Sequence, residues 1–446
     1  MAELISVGLD VGTTTTQMIL SRLHVENRAS SFAVPRLEIT QREILYESPI
    51  HFTPLLDGQR IDGTAIRTIV EKEYEKAGIQ RSQVDTGAVI ITGETSRKEN
   101  AKAVLENLSG FAGEFVVSTA GPDLESVLAA KGAGAVHYSE KTGRNVLHFD
   151  IGGGTSNWAL VENGKISKTG CMNVGGRLIK LDEQGIVGYV SPVLDGLTHI
   201  RVGEQVTENQ LEEVAKSLVQ ALEMAAGLRE KGRLLDVLTT QESSHRGAVV
   251  TDTQDLVISF SGGVADCIET QHPWLIFGDM GPVLGREIRK SRLCQGNYVL
   301  GSQTIRATVI GAGCHSAQLS GSTVFYRNVQ LPLKDLPVVT ECAALKRLDG
   351  PGVLALKGME SPSYEQVKAL AQEIGDRISG PVFVALQADM AKALGHALAL
   401  RLGDTVPILC IDGMALREGD FLDVGKPVGP ALPVVIKTMI FSKEVE

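Results

Sequence analysis

At 446 residues the chain exceeds what one hydrophobic core organises, so two or three domains with a cleft between them are expected. A net charge of −10 without any basic block leaves no electrostatic footprint for nucleic acid or an anionic membrane. No apolar run reaches the roughly 18 residues of a membrane span, and the start MAELISVGLD lacks the basic segment and cleavage site of a signal peptide, so a cytoplasmic protein is expected.

Abundant glycine, few aromatics and short β-branched runs alternating with helical patterns predict an α/β architecture. The first element, VGLDVGTTTTQMIL at 7–20, reads as an apolar strand, a Gly/Thr loop and a second strand, which is a β-hairpin. The pattern returns as LHFDIGGGTSNWAL at 147–160, at a constant offset of 140 residues. Asp10 meets Asp150, Gly12 meets Gly152, Thr15 meets Thr155, Thr16 meets Ser156, Gln17 meets Asn157 and Leu20 meets Leu160. Two related lobes account for such a repeat. Residues 207–210 have capping-box form ahead of Leu211, Val214, Ala215, Leu218 and Leu222, and 363–366 repeat the arrangement ahead of Val367, Leu370, Ala371 and Ile374, giving two amphipathic helices. Between them, 256–260 form a strand that ends in Ser261, Gly262 and Gly263. Residues 381–386 and 406–411 read as buried strands flanking a helix at 390–400.

A hairpin tipped with Gly and Thr can wrap a phosphate, because Gly12, Gly152, Gly153 and Gly154 admit a close backbone approach and the hydroxyls of Thr13, Thr14, Thr15 and Thr155 add donors. Two such loops can grip adjacent phosphates from opposite sides while Asp10 and Asp150 face magnesium and its waters, as carboxylates suit a hard hydrated cation. Either aspartate can orient the attacking water or take its proton. Each motif alone is an ordinary turn; their repetition argues for a shared task. Ser261, Gly262 and Gly263 would let backbone lie against adenosine, and the absence of GxxxxGK[ST] excludes the P-loop class. The six cysteines, Cys171, Cys267, Cys294, Cys314, Cys342 and Cys410, show no CxxC pair and no zinc spacing, and read as buried free thiols.

These motifs resemble those of the ATPase superfamily of actin, hexokinase and the heat-shock chaperones, with DVGTTT as its first phosphate motif, DIGGGT as its second and ISFSGGVAD as its adenosine motif. The resemblance implies a two-lobed actin-like α/β ATPase with duplicated ribonuclease H-like domains around a nucleotide cleft. It implies a first lobe at 1–145, a second at 146–330 with the adenosine motif and a connecting helix, and a further α/β segment at 331–446. LESVLAAKGAGA at 124–135 and IRATVIGAGCHSAQ at 305–318 match the two linking helices, whose small residues permit a close crossing. Glu125, 25 residues before Asp150, has a spacing similar to that of the chaperones' connecting-helix glutamate, which implies a catalytic role beside Asp10 and Asp150. Gly175 and Gly176 stand where the chaperones also have paired glycines. No lysine matches the chaperones' catalytic one; Lys72 and Lys98 are the nearest candidates, and slow hydrolysis is implied.

From GLDVGTTTTQMILSRL through AVIITGETSRKENA and FDIGGGTSNWAL to IDGMALREGDFLDVGKP, most of the chain resembles the ethanolamine ammonia-lyase reactivating factor family. The related diol dehydratase reactivases have a longer large subunit. The resemblance implies a chaperone with weak ATPase activity that uses ATP, ADP and Mg²⁺ to release damaged cobalamin from the inactivated lyase, so that adenosylcobalamin can re-enter. It implies the lyase as partner, a cytoplasmic place associated with the ethanolamine microcompartment, and no role for nucleic acid or membrane; it leaves a homodimer open. A small-molecule kinase of sugar or acetate type, an actin-like filament protein, and a metal-dependent lyase or hydrolase using Cys314 and His315 are the alternatives. Trp158 and Met172 read as core rather than a corrinoid platform, His148 as a strand residue near the cleft, and the Arg-rich run at 285–293 as a solvated helix face or a contact for the lyase or adenine.

Overall fold

The computed structural model describes residues 2–12, 15–27, 37–56, 60–92, 100–112, 117–120, 122–241, 243, 245, 255–301, 303–315, 318–320, 323–348, 350–378, 380–427 and 431–438. The first sheet is built from β1 (Ala2–Val11), β2 (Thr15–Asn27), β3 (Leu37–Glu47), β4 (His51–Phe52), β5 (Thr86–Ile91) and β6 (Val117–Ala120), with α1 (Gly63–Ala77) and α2 (Ala101–Ala112) between its later strands. Its order is β3-β2-β1-β5-β6, antiparallel up to β1 and parallel beyond, with β4 paired to β2.

Helices α3 (Pro122–Gly132) and α4 (Ala135–Thr142) lead into β7 (Val146–Ile151), β8 (Ser156–Glu162), β9 (Lys165–Met172) and a small separate pair, β10 (Ile179–Leu181) and β11 (Val187–Val190). Then follow α5 (Glu208–Ala225), α6 (Arg233–Leu238), β12 (Val257–Ser261), α7 (Asp266–Glu269), α8 (Gly281–Lys290) and β13 (Asn297–Leu300). The second sheet runs β9-β8-β7-β12-β13, again antiparallel up to β7 and parallel beyond. With the short β4 set aside, both sheets place their strands in the order third, second, first, fourth, fifth, with the same senses. The repeat in the sequence is thus a repeat of topology, the duplicated ribonuclease H-like arrangement of a two-lobed actin-like fold.

After α9 (Ala307–His315), a third sheet takes β14 (Gln318–Leu319), β15 (Val324–Arg327), β16 (Leu333–Val339), β17 (Val353–Leu356), β18 (Val382–Leu386), β19 (Ile408–Ile411), β20 (Asp420–Val424) and β21 (Pro433–Thr438). Its centre is the parallel run β16-β17-β18-β19, with α10 (Cys342–Leu345), α11 (Tyr364–Arg377) and α12 (Ala391–Leu402) as connections. Its first strand therefore starts at Gln318, ahead of residue 331. Among the described residues, no helix is long and apolar enough to cross a membrane.

Strand periodicity explains how these sheets present chemistry. Along β1, Val7, Leu9 and Val11 enter a core with residues of α1 and α2, which turns Gly8 and Asp10 to the opposite face. Along β7, Leu147, Phe149 and Ile151 enter a core with α5 and α8, which turns His148 and Asp150 the other way. Trp158 and Met172 are buried in that same core. The capping boxes at Thr207 and Ser363 form as expected, starting α5 and α11. All six cysteines are free thiols, five of them buried.

The two linking helices cross at glycine. A Cβ on Gly132 of α3 would lie 1.9 Å from the Ala307 carbonyl oxygen, and one on Gly311 of α9 would lie 2.1 Å from that of Leu128. Backbone thus packs on backbone, and any side chain must push the helices apart. Gly311→Ala is expected to lower stability by about 3 kcal/mol in chemical denaturation. Gly110→Ala in α2, where no atom lies within 4 Å of the new carbon, should leave stability unchanged or raise it slightly.

Candidate functional site

The two hairpins close identically. Asp10 lies opposite Gln17 in the first and Asp150 opposite Asn157 in the second. The Gly12 N–H donates to the Thr15 carbonyl at 2.9 Å, and the Gly152 N–H donates to that of Thr155 at 2.9 Å. The second loop is braced from behind: the Gly176 and Arg177 N–H groups donate to the Gly152 and Gly153 carbonyls at 3.0 and 2.6 Å. This contact demands glycine at 175, where a Cβ would meet the Gly153 oxygen at 2.3 Å. At the end of β12, Gly262 turns with φ +83° directly over Ile151, whose carbonyl oxygen would lie 2.3 Å from a Cβ there.

One cavity of about 360 Å³ gathers these parts. The first hairpin contributes Asp10, Gly12 and Thr15, and the second contributes Asp150, Gly152, Gly153, Gly154 and Thr155. Gly262 and Gly263 of the third motif and Glu125 of α3 line it too. Ser261 does not line it but is buried behind Asp150, and Thr13 and Thr14 lie outside the described residues. Lys72 is exposed on α1 away from the cavity wall, and Lys98 also lies outside the described residues. Sequence reasoning missed Gln17, Thr92, Arg177, Phe277, Asp279 and Thr308, all on the wall. Two of these had a signal: Gln17 aligns with Asn157 in the repeat, and Arg177 follows the paired glycines.

The two aspartates are held by equivalent strands. Thr92, just past β5, donates its hydroxyl to Asp10 Oδ1 at 2.8 Å, and Ser261, at the end of β12, donates to Asp150 Oδ1. Asp150 Oδ2 also accepts from the Thr308 hydroxyl of α9 at 3.1 Å. Burial pushes the Asp10 carboxyl up to about 7; the Thr92 bond opposes this and the nearby Asp150 charge adds to it. Burial likewise raises Asp150, against the pull of Ser261 and Thr308. His148, fully buried, continues the chain: Nε2 lies 2.9 Å from Ser261 Oγ and Nδ1 lies 3.0 Å from Ser259 Oγ. Because the Ser261 proton goes to Asp150, His148 must donate from Nε2 and accept at Nδ1 from Ser259. Burial holds the imidazole neutral, with its pKa pushed down to about 3.

Two buried amide oxygens, Gln17 Oε1 and Asn157 Oδ1, have no hydrogen-bond partner among the described residues, and Gln17 lines the cavity. Backbone amides, hydroxyls, carboxylates and an unsatisfied amide oxygen together suit a hydrated divalent cation with an anionic ligand more than a bare coordination cage. Among the described residues, no three His, Cys, Asp or Glu side chains cluster closely enough to hold a metal directly. The Cys314 and His315 pair sits instead in packing: the Cys314 thiol lies 3.1 Å from Ser21 Oγ, and burial beside Arg42 and Lys131 pushes the His315 pKa down to about 3.

A family model described as "Ethanolamine utilisation protein EutA" matches residues 2–351 and 341–442. The chain is 37% identical to "Ethanolamine ammonia-lyase reactivase EutA" of Salmonella typhimurium, across 98% of this chain and 99% of that protein. It is 38% identical to the protein of the same name from Escherichia coli, with the same coverage. Among solved structures, the Ppx/GppA family member of Aquifex aeolicus aligns at 12% identity over 70% of this chain and 97% of that one, with a TM-score of 0.41. The ethanolamine utilization protein EutJ of Carboxydothermus hydrogenoformans aligns at 15% identity over 69% and 88%, with a TM-score of 0.36. By full-length similarity the chain belongs to the EutA family of ethanolamine utilisation proteins.

Proposed function

We propose that this protein is an ATP-dependent reactivase, a chaperone that releases damaged cobalamin from inactivated ethanolamine ammonia-lyase so that intact adenosylcobalamin can bind. The observation that carries the reading is the pair of identically closed Gly/Thr loops, each led by an aspartate, on one cavity in a chain that matches curated reactivases end to end. The names of those relatives favour neither a small-molecule kinase nor a filament protein. The division at 1–145, 146–330 and 331–446 goes with this reading, the first two parts being the lobes that grip the nucleotide.

The donor set fits Mg²⁺ and ATP or ADP. Loop amides and the Thr15 and Thr155 hydroxyls would hold phosphate oxygens, and Asp10, Asp150 and Gln17 Oε1 would accept from the waters of the metal. Gly262 and Gly263 line the cavity beside Val264 and Phe277, an apolar wall suited to adenine. The metal, when bound, neutralises phosphate charge. Asp10, with a single hydroxyl on its carboxylate, is the better placed of the two to take a proton from water, while Ser261 and Thr308 hold Asp150 in one orientation. Glu125 on α3 completes the acidic wall. Each lobe contributes one loop, so a change in the ligand's phosphate chain alters the preferred lobe angle and can move a partner between tight and loose states.

The decisive assay mixes cyanocobalamin-blocked ethanolamine ammonia-lyase with this protein, ATP, Mg²⁺ and free adenosylcobalamin. Turnover should return, and Asp10→Asn or Asp150→Asn should cut the rate of rescue about 100-fold. Full rescue by both variants would refute the mechanism, and phosphorylation of a small acceptor without rescue would favour the kinase. His148→Leu leaves the Ser259 and Ser261 hydroxyls without their buried partner and should cost about 1–3 kcal/mol in urea denaturation, with slower rescue at saturating ATP. His148→Gln, which keeps a donor and an acceptor, should recover part of both; unchanged rescue by the leucine variant would show that Asp150 does not depend on the imidazole.

A further inference from the structure

The cavity wall is acidic to an extent that a polyphosphate site does not tolerate unaided. Its described residues include five carboxylates, Asp10, Glu125, Asp150, Asp266 and Asp279, and a single Lys or Arg, Arg177. A bound divalent metal offsets only part of the repulsion between such a wall and a phosphate chain. A protein cation facing the phosphates would offset the rest, and among the described residues Arg177 is the one on the wall.

We propose that Arg177 is the phosphate-binding cation of this protein, and that its ion pair with Asp279 is the resting position it leaves when a nucleotide's phosphate chain arrives. The inference rests on the nucleotide reading above. Three features of the geometry support it. The backbone of Arg177 is tied to the second loop, its N–H donating to the Gly153 carbonyl, so the side chain starts beside the loop glycines. Its stem crosses Gly153 itself: a Cβ there would lie 3.4 Å from Arg177 Cδ and 3.5 Å from Cβ. Its head is only singly engaged, Nε donating to Asp279 Oδ2 at 3.0 Å, while Nη1 and Nη2 make no hydrogen bond to protein among the described residues.

The pair is also unequal. The Asp279 side chain is 9% exposed and fixed by the Gly281 N–H on Oδ1 at 2.9 Å, whereas the Arg177 side chain is 29% exposed. Asp279 is therefore the anchor and Arg177 the partner free to turn. A guanidinium presents a planar fork of donors that matches two phosphate oxygens, so the move gains charge-assisted bonds to phosphate, offset in part by the Asp279 carboxylate, which keeps the Gly281 N–H and the Lys180 charge when Arg177 departs.

Calorimetry on the full chain with Mg-ATP and with adenosine tests this. Arg177→Gln should weaken Mg-ATP binding tenfold or more and leave adenosine within twofold of wild type. Arg177→Lys should recover only part of the loss, having charge but no fork. Asp279→Asn keeps an acceptor for Gly281 while releasing Arg177, and should tighten Mg-ATP severalfold. Wild-type Mg-ATP affinity in Arg177→Gln would overturn the proposal, as would an equal loss for adenosine, which marks a purely structural role. Absence of heat from wild-type protein with Mg-ATP and Mg-ADP would bring down the nucleotide reading as well, so the two failures are distinguishable.

Discussion

Helix α9 packs its backbone against β1 and α3 and reaches the second hairpin through the Thr308 hydroxyl, and the geometry of the cleft follows from those contacts. On the first lobe it presses against β1 where Gly8 has no side chain: a Cβ there would meet the Val309 oxygen at 2.4 Å and the Gly313 nitrogen at 2.6 Å. On the linking side it crosses α3 at Gly132 and Gly311. Just ahead of the helix, the Ile305 carbonyl accepts from Gln17 Nε2 of the first hairpin at 3.2 Å, and Thr308 within it reaches Asp150 of the second. The helix, spelled ATVIGAGCH, has glycine at 311 and 313 where its neighbours come closest, so both hairpins are referred to one element. Small slides at such a crossing are shear motions, which can change the lobe angle while leaving each loop intact.

Duplication supplied two loops of one geometry, and divergence gave them different supports. Position 8 in the first lobe corresponds to 148 in the second: glycine where α9 presses in, histidine where the space is filled by a hydrogen-bonded imidazole. Thr92 and Ser261 occupy equivalent strand ends and each donates a hydroxyl to an aspartate. Asp150 has a further hydroxyl from Thr308 and a histidine behind its serine, so it is fixed from two sides, while Asp10 is held once. Paired carboxylates with unequal environments are the usual way in which one fold separates a positioning acid from a reactive one.

This construction suits a reactivase in the proposed sense, because such a protein must convert the presence of a nucleotide into force on a partner rather than into rapid product. An acidic wall carrying the Arg177 guanidinium, a neutral buried imidazole and twin hairpins provides positioning and electrostatics with modest chemical power. The third sheet shares no strand with the lobes, yet Leu319 of its first strand packs among Leu4, Leu23 and Val25 at the outer end of the first sheet, which gives a mechanical link between the two.

What the chain order made legible was whatever depends on local pattern. The repeat at Asp10 and Asp150 announced two lobes because hairpin, loop and leading carboxylate are encoded within about a dozen consecutive residues; the capping boxes at Thr207 and Ser363 and the crossing segments rich in glycine are local for the same reason. The removal of Ser261 from the cavity wall, the roles of Thr92 and Thr308, the His148 chain and the approach of Arg177 to Gly153 were not legible. Each arises where strands or helices distant in sequence lie side by side, as in the parallel pairing of Ser261 with Asp150 and Ser259 with His148. Sequence by itself thus determined the repeated loops and the lobes they belong to, since those follow from residue spacing along one strand and turn. Only the tertiary structure decided which side chains stand behind each aspartate and where Arg177 lies, because that choice is made by register between strands and by how closely glycine lets α9 approach.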